Sequence, residues 1–389
     1  MNIVFIGATG NYPLEISASN SKNELISKGL ISAGCKVTII NSPIGSSQIN
    51  SEQLDSTEFG IRYIVFPKKK ILKNFKRIWD NIKILKSDTN ENIAILSLSY
   101  GRLPLLFYYI VIAKLQKYKL VLIINEWRIP PKRRGITFFK IVKDLHELLK
   151  INMIPPACDM ILPISTFIDK KISKYNKVSL VLPALADIGK IVPLKNENID
   201  NSFLYCGIGY FDVAMMVLKA FNQISKNSKT NLTLVIGFKN DKNNKFKNQI
   251  LHYIEVNGIK KKVKLLSNIS YDRLIALYQT SLALLIPLNE NNLQDQSRFP
   301  NKIGEYASAG RPIITMNVGD VGVYFDDKSI YYVNKYNVDE LAITMNKVAR
   351  NISHANKVGQ NGRIVAEKVL NSELYGKKLY NLFSTLSKK

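Results

Sequence analysis

The sequence predicts an α/β protein made of two Rossmann-like, doubly wound domains. Two observations carry this prediction. Short apolar runs alternate with longer amphipathic segments, as in parallel sheets with crossover helices, and this alternation starts afresh near Phe203. In addition, 389 residues are too many for one compact core and suit two domains of about 150–200 residues each.

The first half opens as a β-α-β unit. Asn2–Ile6 is an apolar strand, the segment from Ile16 to Ala33 is amphipathic, and Lys36–Asn41 is a second strand. A dinucleotide-binding fingerprint fails here, because no third glycine stands near Pro13 and Asn41 replaces the expected acidic residue. The glycine-containing loop after the first strand is therefore either a tight turn or a place where backbone amides approach a phosphate.

A basic amphipathic segment follows between two further strands. Residues 68–86 repeat apolar side chains at helical spacing, include Trp79, and fill the gaps with lysine and arginine. Such a helix either lies on an anionic membrane or packs its apolar face on the sheet, and the sequence leaves both open. A second basic loop, Lys132-Arg133-Arg134, adds to the same positive charge.

Glu126 comes directly after the apolar strand Leu120–Asn125. Residues at the carboxyl ends of parallel strands point into the crevice where ligands bind, so Glu126 is a candidate base for an acceptor hydroxyl. A surface ion pair with Arg128 is the alternative.

The most informative stretch runs from Leu293 to Gly319, after the apolar strand Ser281–Leu288. We predict a helix over Asn301–Ala309, with Pro300 in its first turn and Asn301 as its cap, and with Gly310 as the left-handed residue past its end. Its amino-terminal amides suit a phosphate, and Glu305, one turn in, suits ribose hydroxyls.

This stretch, from Pro300 to Ile314, resembles the nucleotide-sugar site of the family-four retaining glycosyltransferases. The resemblance implies a GT-B fold, with two Rossmann-like domains facing across a cleft. It divides the chain into residues 1–195, 196–370 and 371–389, the last being a helix that returns to the N-terminal domain. It implies a hexosyltransferase-type enzyme that uses a nucleoside diphosphate sugar as co-substrate, with no cofactor and no metal.

The resemblance also assigns roles to residues. The acceptor and phosphate loop is expected at Gly7, Gly10 and Asn11. The donor-binding residues are expected to be Ser297, Phe299, Pro300, Asn301, Glu305, Gly207, Gly209, Gly237, Asn268 and Ile269.

Two departures from the family's pattern affect the site. The family has a second glutamate eight positions before Glu305, where this chain has Ser297. The family also has arginine and lysine in the loop after the first strand of the second domain, whereas residues 207–212 contain no basic residue. A leaving diphosphate needs positive charge, so we expect Arg298 and Lys302 to supply it and to be catalytic together with Glu126. The alternative is a catalytically inactive GT-B protein that binds or assists a partner at the membrane surface.

The composition limits the classes of partner that we expect. The formal net charge is +25 and the pI about 9.7, which favours anionic partners. No RNA-recognition, helix-turn-helix or zinc-finger pattern accompanies the charge, so specific nucleic-acid binding is not expected. Cys35, Cys158 and Cys206 are predicted to be buried free thiols, and no apolar run is long enough to span a bilayer. We expect a cytoplasmic protein, with attachment to the inner face of the cell membrane left open, and with a saccharide or lipid-linked acceptor used in surface polysaccharide or glycolipid assembly.

Overall fold

A computed structural model describes residues 1–8, 18–46, 48–49, 53–87, 91–99, 102–128, 138–194, 199–208, 210–237 and 241–388. The chain divides into two compact units. Unit 1 comprises Met1–Leu185 and Ser372–Lys389, and unit 2 comprises Ala186–Asn371.

Unit 1 contains an eight-stranded sheet with helices between its strands. In chain order its elements are β1 (Asn2–Ala8), α1 (Ala18–Ser32), β2 (Lys36–Asn41), β3 (Leu54–Glu58), β4 (Ile61–Val65), α2 (Ile71–Leu85), β5 (Asn92–Ser97), α3 (Leu103–Leu115), β6 (Lys119–Ile124), α4 (Phe138–Met153), β7 (Met160–Pro163), α5 (Thr166–Ile172), β8 (Val178–Ser179) and, at the chain's end, α14 (Ser372–Lys388). The strand order is β3-β4-β2-β1-β5-β6-β7-β8, parallel except for β3 against β4.

Unit 2 contains a six-stranded, fully parallel sheet in the order β11-β10-β9-β12-β13-β14. Its elements are β9 (Asp200–Ile208), α6 (Phe211–Ser225), β10 (Asn231–Gly237), α7 (Asp241–Val256), β11 (Val263–Leu266), α8 (Tyr271–Thr280), β12 (Ser281–Ile286), α9 (Leu293–Ser297), α10 (Asn301–Ser308), β13 (Ile313–Thr315), α11 (Val321–Tyr324), β14 (Tyr331–Tyr332), α12 (Val338–Arg350) and α13 (Ile352–Val369). The predicted caps Ser165 and Ser270 both accept from backbone amides at the starts of α5 and α8.

The core of each unit is formed by apolar strands that are buried on both faces of the sheet. All six residues of β12 are buried, as expected for a central parallel strand. In unit 1, α1 and α14 cover one face of the sheet, and their crossing is close because Gly29 and Gly376 face each other backbone to backbone, where a side chain on either would clash. Right-handed crossovers place α2, α3 and α4 on the opposite face.

The boundary between the two units falls earlier in the sequence, between Leu185 and Ala186, than the predicted division between residues 195 and 196. Residues 186–194 belong to unit 2 because they are bonded to it: Arg363 donates to the carbonyls of Ile188 and Ile191, and Gln279 donates to the carbonyl of Val192. These bonds join residues far apart in the sequence, so the polarity of the linker does not mark the division.

Cys35 and Cys158 are buried free thiols, as predicted, and burial raises their pKa values to about 11 and about 12. Cys206 is partly exposed. None of the helices in the described ranges combines the length and apolarity needed to cross a membrane.

Lys22 is a buried cation in α1, and it predicts a pH-dependent stability. It is 4% exposed, and its Nζ donates to Asn125 Oδ1 at 2.8 Å and to the Leu182 carbonyl at 3.1 Å. Burial lowers the pKa of Lys22 from 10.5 to about 7. Between these values the unfolded chain binds a proton that the folded chain does not, so the free energy of unfolding rises with pH through this window, and the penalty is fully present below it.

We therefore expect the Tm of the wild type, relative to Lys22→Met, to climb as the pH is raised from about 7 towards 10. Thermal melts of both proteins across this range measure the effect, with Lys36→Met, an exposed lysine of the same unit, as control. If the Tm values of the wild type and Lys22→Met changed with pH in parallel, this result would contradict the lowered pKa of Lys22.

Candidate active site

The candidate site lies at the point in unit 2 where the strand order reverses, between β9 and β12. In doubly wound sheets ligands bind outside the carboxyl ends of the strands at this point. Two segments supply side chains there: the end of β9, and α10 with the turn before it. Tyr278, near the end of α8, contacts α10.

Helix α10 begins much as the sequence predicts. It runs from Asn301 to Ser308, with Pro300 in the cap position, and Gly310 follows in the left-handed conformation at φ +66°. The predicted cap by Asn301 is wrong, since Asn301 is the first helical residue and no side chain caps the helix. No side chain therefore competes as a cap with a ligand, such as a phosphate, at the amino-terminal end of this helix.

Glu305, Tyr278 and Lys302 form a compact polar cluster. The Tyr278 hydroxyl donates to Glu305 Oε2 at 3.0 Å, and Lys302 Nζ donates to the Tyr278 oxygen at 3.2 Å and lies 3.9 Å from Glu305 Oε2. The side chains of Lys302 and Glu305 remain 32% and 16% exposed. Among the described residues, no hydrogen-bond partner is seen for the second oxygen of the Glu305 carboxylate, which can therefore accept from a ligand.

The electrostatics of this cluster follow from partial burial. Burial opposes the charged ammonium of Lys302, but the side chains of Cys206 and Glu305 together raise the pKa of Lys302 above its ordinary value. Burial, with the nearby Glu305, raises the pKa of Tyr278 well above its ordinary value. Lys302 is therefore a cation and Tyr278 a neutral donor at physiological pH. Because Cys206 is near enough to influence the pKa of Lys302, the positive charge of Lys302 lies close to the carboxyl end of β9.

Arg298 brings a second positive charge to the same strand end. Its Nη1 donates to the Tyr210 hydroxyl at 2.8 Å, and the guanidinium lies 5.2 Å from the centre of the Tyr210 ring. Arg298 also pairs with Asp295, which in turn accepts from the Asn289 amide at 3.0 Å. Tyr210 belongs to the loop that follows β9, so the contact with Tyr210 brings the positive charge of Arg298 to that loop.

Several predicted donor-binding residues are buried rather than open. Ser297 is 0% exposed and its hydroxyl donates to the Gln294 carbonyl within its own turn. Phe299 is 1% exposed and packs edge-on against Tyr324. Gly207 lies inside β9, not in a turn, with the Tyr205 hydroxyl where a side chain would be. These buried residues are therefore placed to support the neighbouring side chains and not to contact a ligand directly.

The acceptor-side predictions are only partly described by the structure. Gly7 lies within β1, buried against Tyr109, so the prediction that it lines a phosphate loop is wrong; the missing side chain makes room for the Tyr109 ring. Glu126 follows β6 as predicted and pairs with Arg128 at 3.0 Å, which is the ion-pair alternative. Gly10, Asn11 and Gly209 fall outside the described residues, as does the basic loop Lys132-Arg133-Arg134.

The remaining predicted residues follow other strand ends of unit 2. Gly237 ends β10, and Asn268 and Ile269 follow β11, with Asn268 exposed in the left-handed conformation at φ +52°. In the described residues, no contact joins these three to the Glu305 cluster. Within the described chain there is likewise no group of three or more His, Cys, Asp or Glu side chains arranged to hold a metal ion.

Three residues of the site were not predicted: Tyr278, Tyr210 and Cys206. Tyr278 stands 27 residues before Glu305, and nothing in the sequence around it signals a polar role. The contact arises only because α8 and α10 pack beside β12.

Comparison with known proteins identifies this fold. Residues 214–365 match the family model described as glycosyl transferases group 1. Among solved structures, sucrose-phosphate synthase from Thermosynechococcus elongatus is 14% identical, with a TM-score of 0.71, over 99% of this chain and 98% of that one. Anabaena HepE in complex with UDP-glucose is 11% identical, with a TM-score of 0.68, over 99% and 100%. A glycosyltransferase from Rickettsia africae is 14% identical, with a TM-score of 0.68, over 100% and 99%.

No curated protein sequence matches the chain. The two parallel-sheet units have the fold of the GT-B glycosyltransferases, as predicted. The family match covers residues 214–365, which lie within unit 2.

Proposed function

We propose that the protein is a retaining, hexosyltransferase-type enzyme that moves a sugar from a nucleoside diphosphate sugar to a hydroxyl acceptor. The observation that carries this proposal is the position of two cations. Lys302 lies near Cys206 at the end of β9, where it hydrogen-bonds to Tyr278, and Arg298 donates to Tyr210 in the following loop. The loop itself has no basic residue, so α10 and the turn before it supply the charge that a diphosphate requires.

In the proposed complex, the amides at the start of α10 and the two cations hold the diphosphate. The free oxygen of Glu305 accepts from the ribose hydroxyls. As the bond between the sugar and the diphosphate breaks, negative charge grows on the leaving oxygen, and positive groups fixed in a partly buried site stabilise it without reorganising. The acceptor hydroxyl then attacks from the same face as the departing diphosphate and passes its proton to the leaving diphosphate oxygen, with no metal or other cofactor. We assign acceptor binding to unit 1.

We place the acceptor surface of unit 1 at the point where its strand order reverses, between β1 and β5. A small cavity there is lined by the side chains of Asn23 and Ser97 among apolar residues. We further propose that the acceptor is a saccharide or lipid-linked molecule, used in surface polysaccharide or glycolipid assembly at the inner face of the cell membrane.

A second function, nucleotide-sugar binding without transfer, is favoured by one observation. Ser297 stands where the resembling family has a glutamate, and its hydroxyl is buried within its own turn. A protein of this kind would bind the donor and serve a partner enzyme.

Binding and transfer are tested in sequence. We expect one nucleotide class among UDP-, GDP- and ADP-sugars to raise the Tm, because a ligand at 100 times its Kd stabilises the folded state by about 2.7 kcal/mol. The stabilising donor is then incubated with candidate acceptors, and the anomeric configuration of any product is read by NMR. If the donor binds but is neither transferred nor slowly hydrolysed, the second function is favoured. A product of inverted anomeric configuration would exclude the retaining mechanism.

A further inference from the structure

Helix α4 of unit 1 exposes most of the apolar side chains that the structure describes in it. Six of them are each exposed by 41–52%, whereas Ile151 is buried. The six are Ile141, Val142, Leu145, Leu148, Leu149 and Met153. At about 100° per residue they cover an arc of roughly 140°, a continuous stripe along the helix. An amphipathic helix normally buries such a stripe in the core.

The opposite side of α4 is polar and is held by specific contacts. His146 Nε2 accepts from the Leu103 amide at 2.9 Å, at the start of α3. Glu147 pairs with Lys150, which is 3% exposed, at 3.0 Å, and lies 3.9 Å from Arg128. These bonds fix which side faces the protein, so the apolar stripe faces outward. A contiguous exposed apolar surface of this kind marks an interaction site.

The neighbouring helices of the same layer also expose apolar side chains. Helix α2 exposes Leu72 and Ile84 and α3 exposes Val111 and Leu115, at 87%, 75%, 51% and 62%. Helix α3 packs between α2 and α4, so exposed apolar side chains occur on all three helices of this layer.

The charge of this layer identifies its partner. Among the side chains of α2, α3 and α4 that the structure describes, every exposed charged residue is a lysine. They are Lys73, Lys76, Lys83, Lys114 and Lys143. The acidic residues Asp80, Asp144 and Glu147 are all at least partly buried. Apolar side chains interspersed with exposed lysines match an anionic lipid surface. A second copy of the chain would place these lysines against the same lysines, which repel.

We propose that the outward side of α4, together with the exposed lysines of α2 and α3, docks unit 1 on an anionic lipid bilayer. The apolar stripe of α4 inserts at the level of the headgroups, and the lysines contact the lipid phosphates. This assignment differs from the sequence prediction, which considered only the basic helix now seen as α2. It does not depend on transferase activity.

Flotation with vesicles tests the proposal on the full chain. We expect binding to phosphatidylcholine vesicles that contain phosphatidylglycerol, no binding to phosphatidylcholine alone, and weaker binding as salt is raised. The double variant Leu145→Gln/Leu148→Gln should bind roughly tenfold more weakly, since two apolar side chains no longer leave water. Lys73→Gln/Lys76→Gln should lose roughly fivefold per lysine, and this loss should shrink at high salt.

Matched controls separate this surface from general effects. Leu251→Gln/Ile343→Gln removes two side chains of unit 2 that are exposed by 43% and 62%, and should leave flotation unchanged. Donor binding and Tm, measured on every variant, report on unit 2 and on folding, so failure of the donor proposal would be seen separately. Three results would overturn the proposal: no flotation at low salt, equal loss in the control, or a dimer in solution that the Leu145→Gln/Leu148→Gln change dissociates.

Discussion

Replacing Lys302 by alanine is expected to lower kcat by about two to three orders of magnitude, the usual effect of removing one group that stabilises transition-state charge. Lys302 reaches Tyr278 and Glu305 together, and Cys206 is near enough to influence its pKa, so its ammonium lies close to the carboxyl end of β9. Charge on the leaving diphosphate grows as the sugar departs. The interaction is therefore stronger in the transition state than in the ground state, and kcat should fall more than KM rises.

Arg298→Ala should act in the same direction, and the double variant should show no turnover above background. Steady-state kinetics with the stabilising donor measure both, and calorimetry with the nucleoside diphosphate measures binding. Lys260→Ala and Arg273→Ala remove equal charges from exposed positions of unit 2 and serve as controls. Unchanged turnover in the double variant would remove both residues from the mechanism.

Local signals in the sequence were enough to predict the frame of this site. Pro300 and Gly310 bracket α10 because each favours one end of a helix through its own backbone. The structure confirms Gly310 and places Pro300 at the cap, one residue before the predicted first turn. The six-residue apolar run of β12 likewise predicts a central strand. Such features depend on neighbouring residues alone, so the alternation of strands and helices and the place of Glu305 could be predicted.

Features that depend on tertiary packing could not be predicted. Ser297 and Phe299 stand beside the helix start in the sequence, but a short turn gives no periodicity from which to tell the buried side from the open one. Glu305 has a partner, Tyr278, from a helix 27 residues away. Helix α4 is the strongest case: an amphipathic pattern normally indicates that the apolar stripe is buried, but the structure exposes this one.

Glu305→Gln is expected to weaken nucleotide binding by roughly ten- to a hundredfold, the range for a hydrogen bond to a charged group worth about 1.5–3 kcal/mol. The amide keeps the shape of the side chain but removes the charge and replaces one acceptor oxygen with a donor. Because the Tyr278 hydroxyl occupies Oε2, the proposed ribose contact uses the other oxygen. Calorimetry with the nucleoside diphosphate measures the loss.

Tyr278→Phe removes the hydroxyl that orients this carboxylate but leaves its charge. We expect a smaller loss than for Glu305→Gln, and little further loss when the two changes are combined, since Tyr278 acts through Glu305 and the pair is coupled. Tyr332→Phe is the matched control: its hydroxyl also makes one hydrogen bond in unit 2, to the Phe325 carbonyl at 2.8 Å. An additive double variant would show that Tyr278 contributes independently of Glu305.

The ribose itself distinguishes recognition by Glu305 from a merely structural role. If its free oxygen accepts from ribose hydroxyls, the wild type should bind the ribonucleoside diphosphate more tightly than its 2′,3′-dideoxy analogue, because an acceptor left without its donor in a partly buried site is costly. Glu305→Gln should then lose most of that preference, since the dideoxy analogue never made the contact. A general distortion of α10 would instead weaken both ligands equally and leave their ratio unchanged. A preserved ratio would therefore place the ribose elsewhere in unit 2, even if Glu305→Gln weakened binding as a whole.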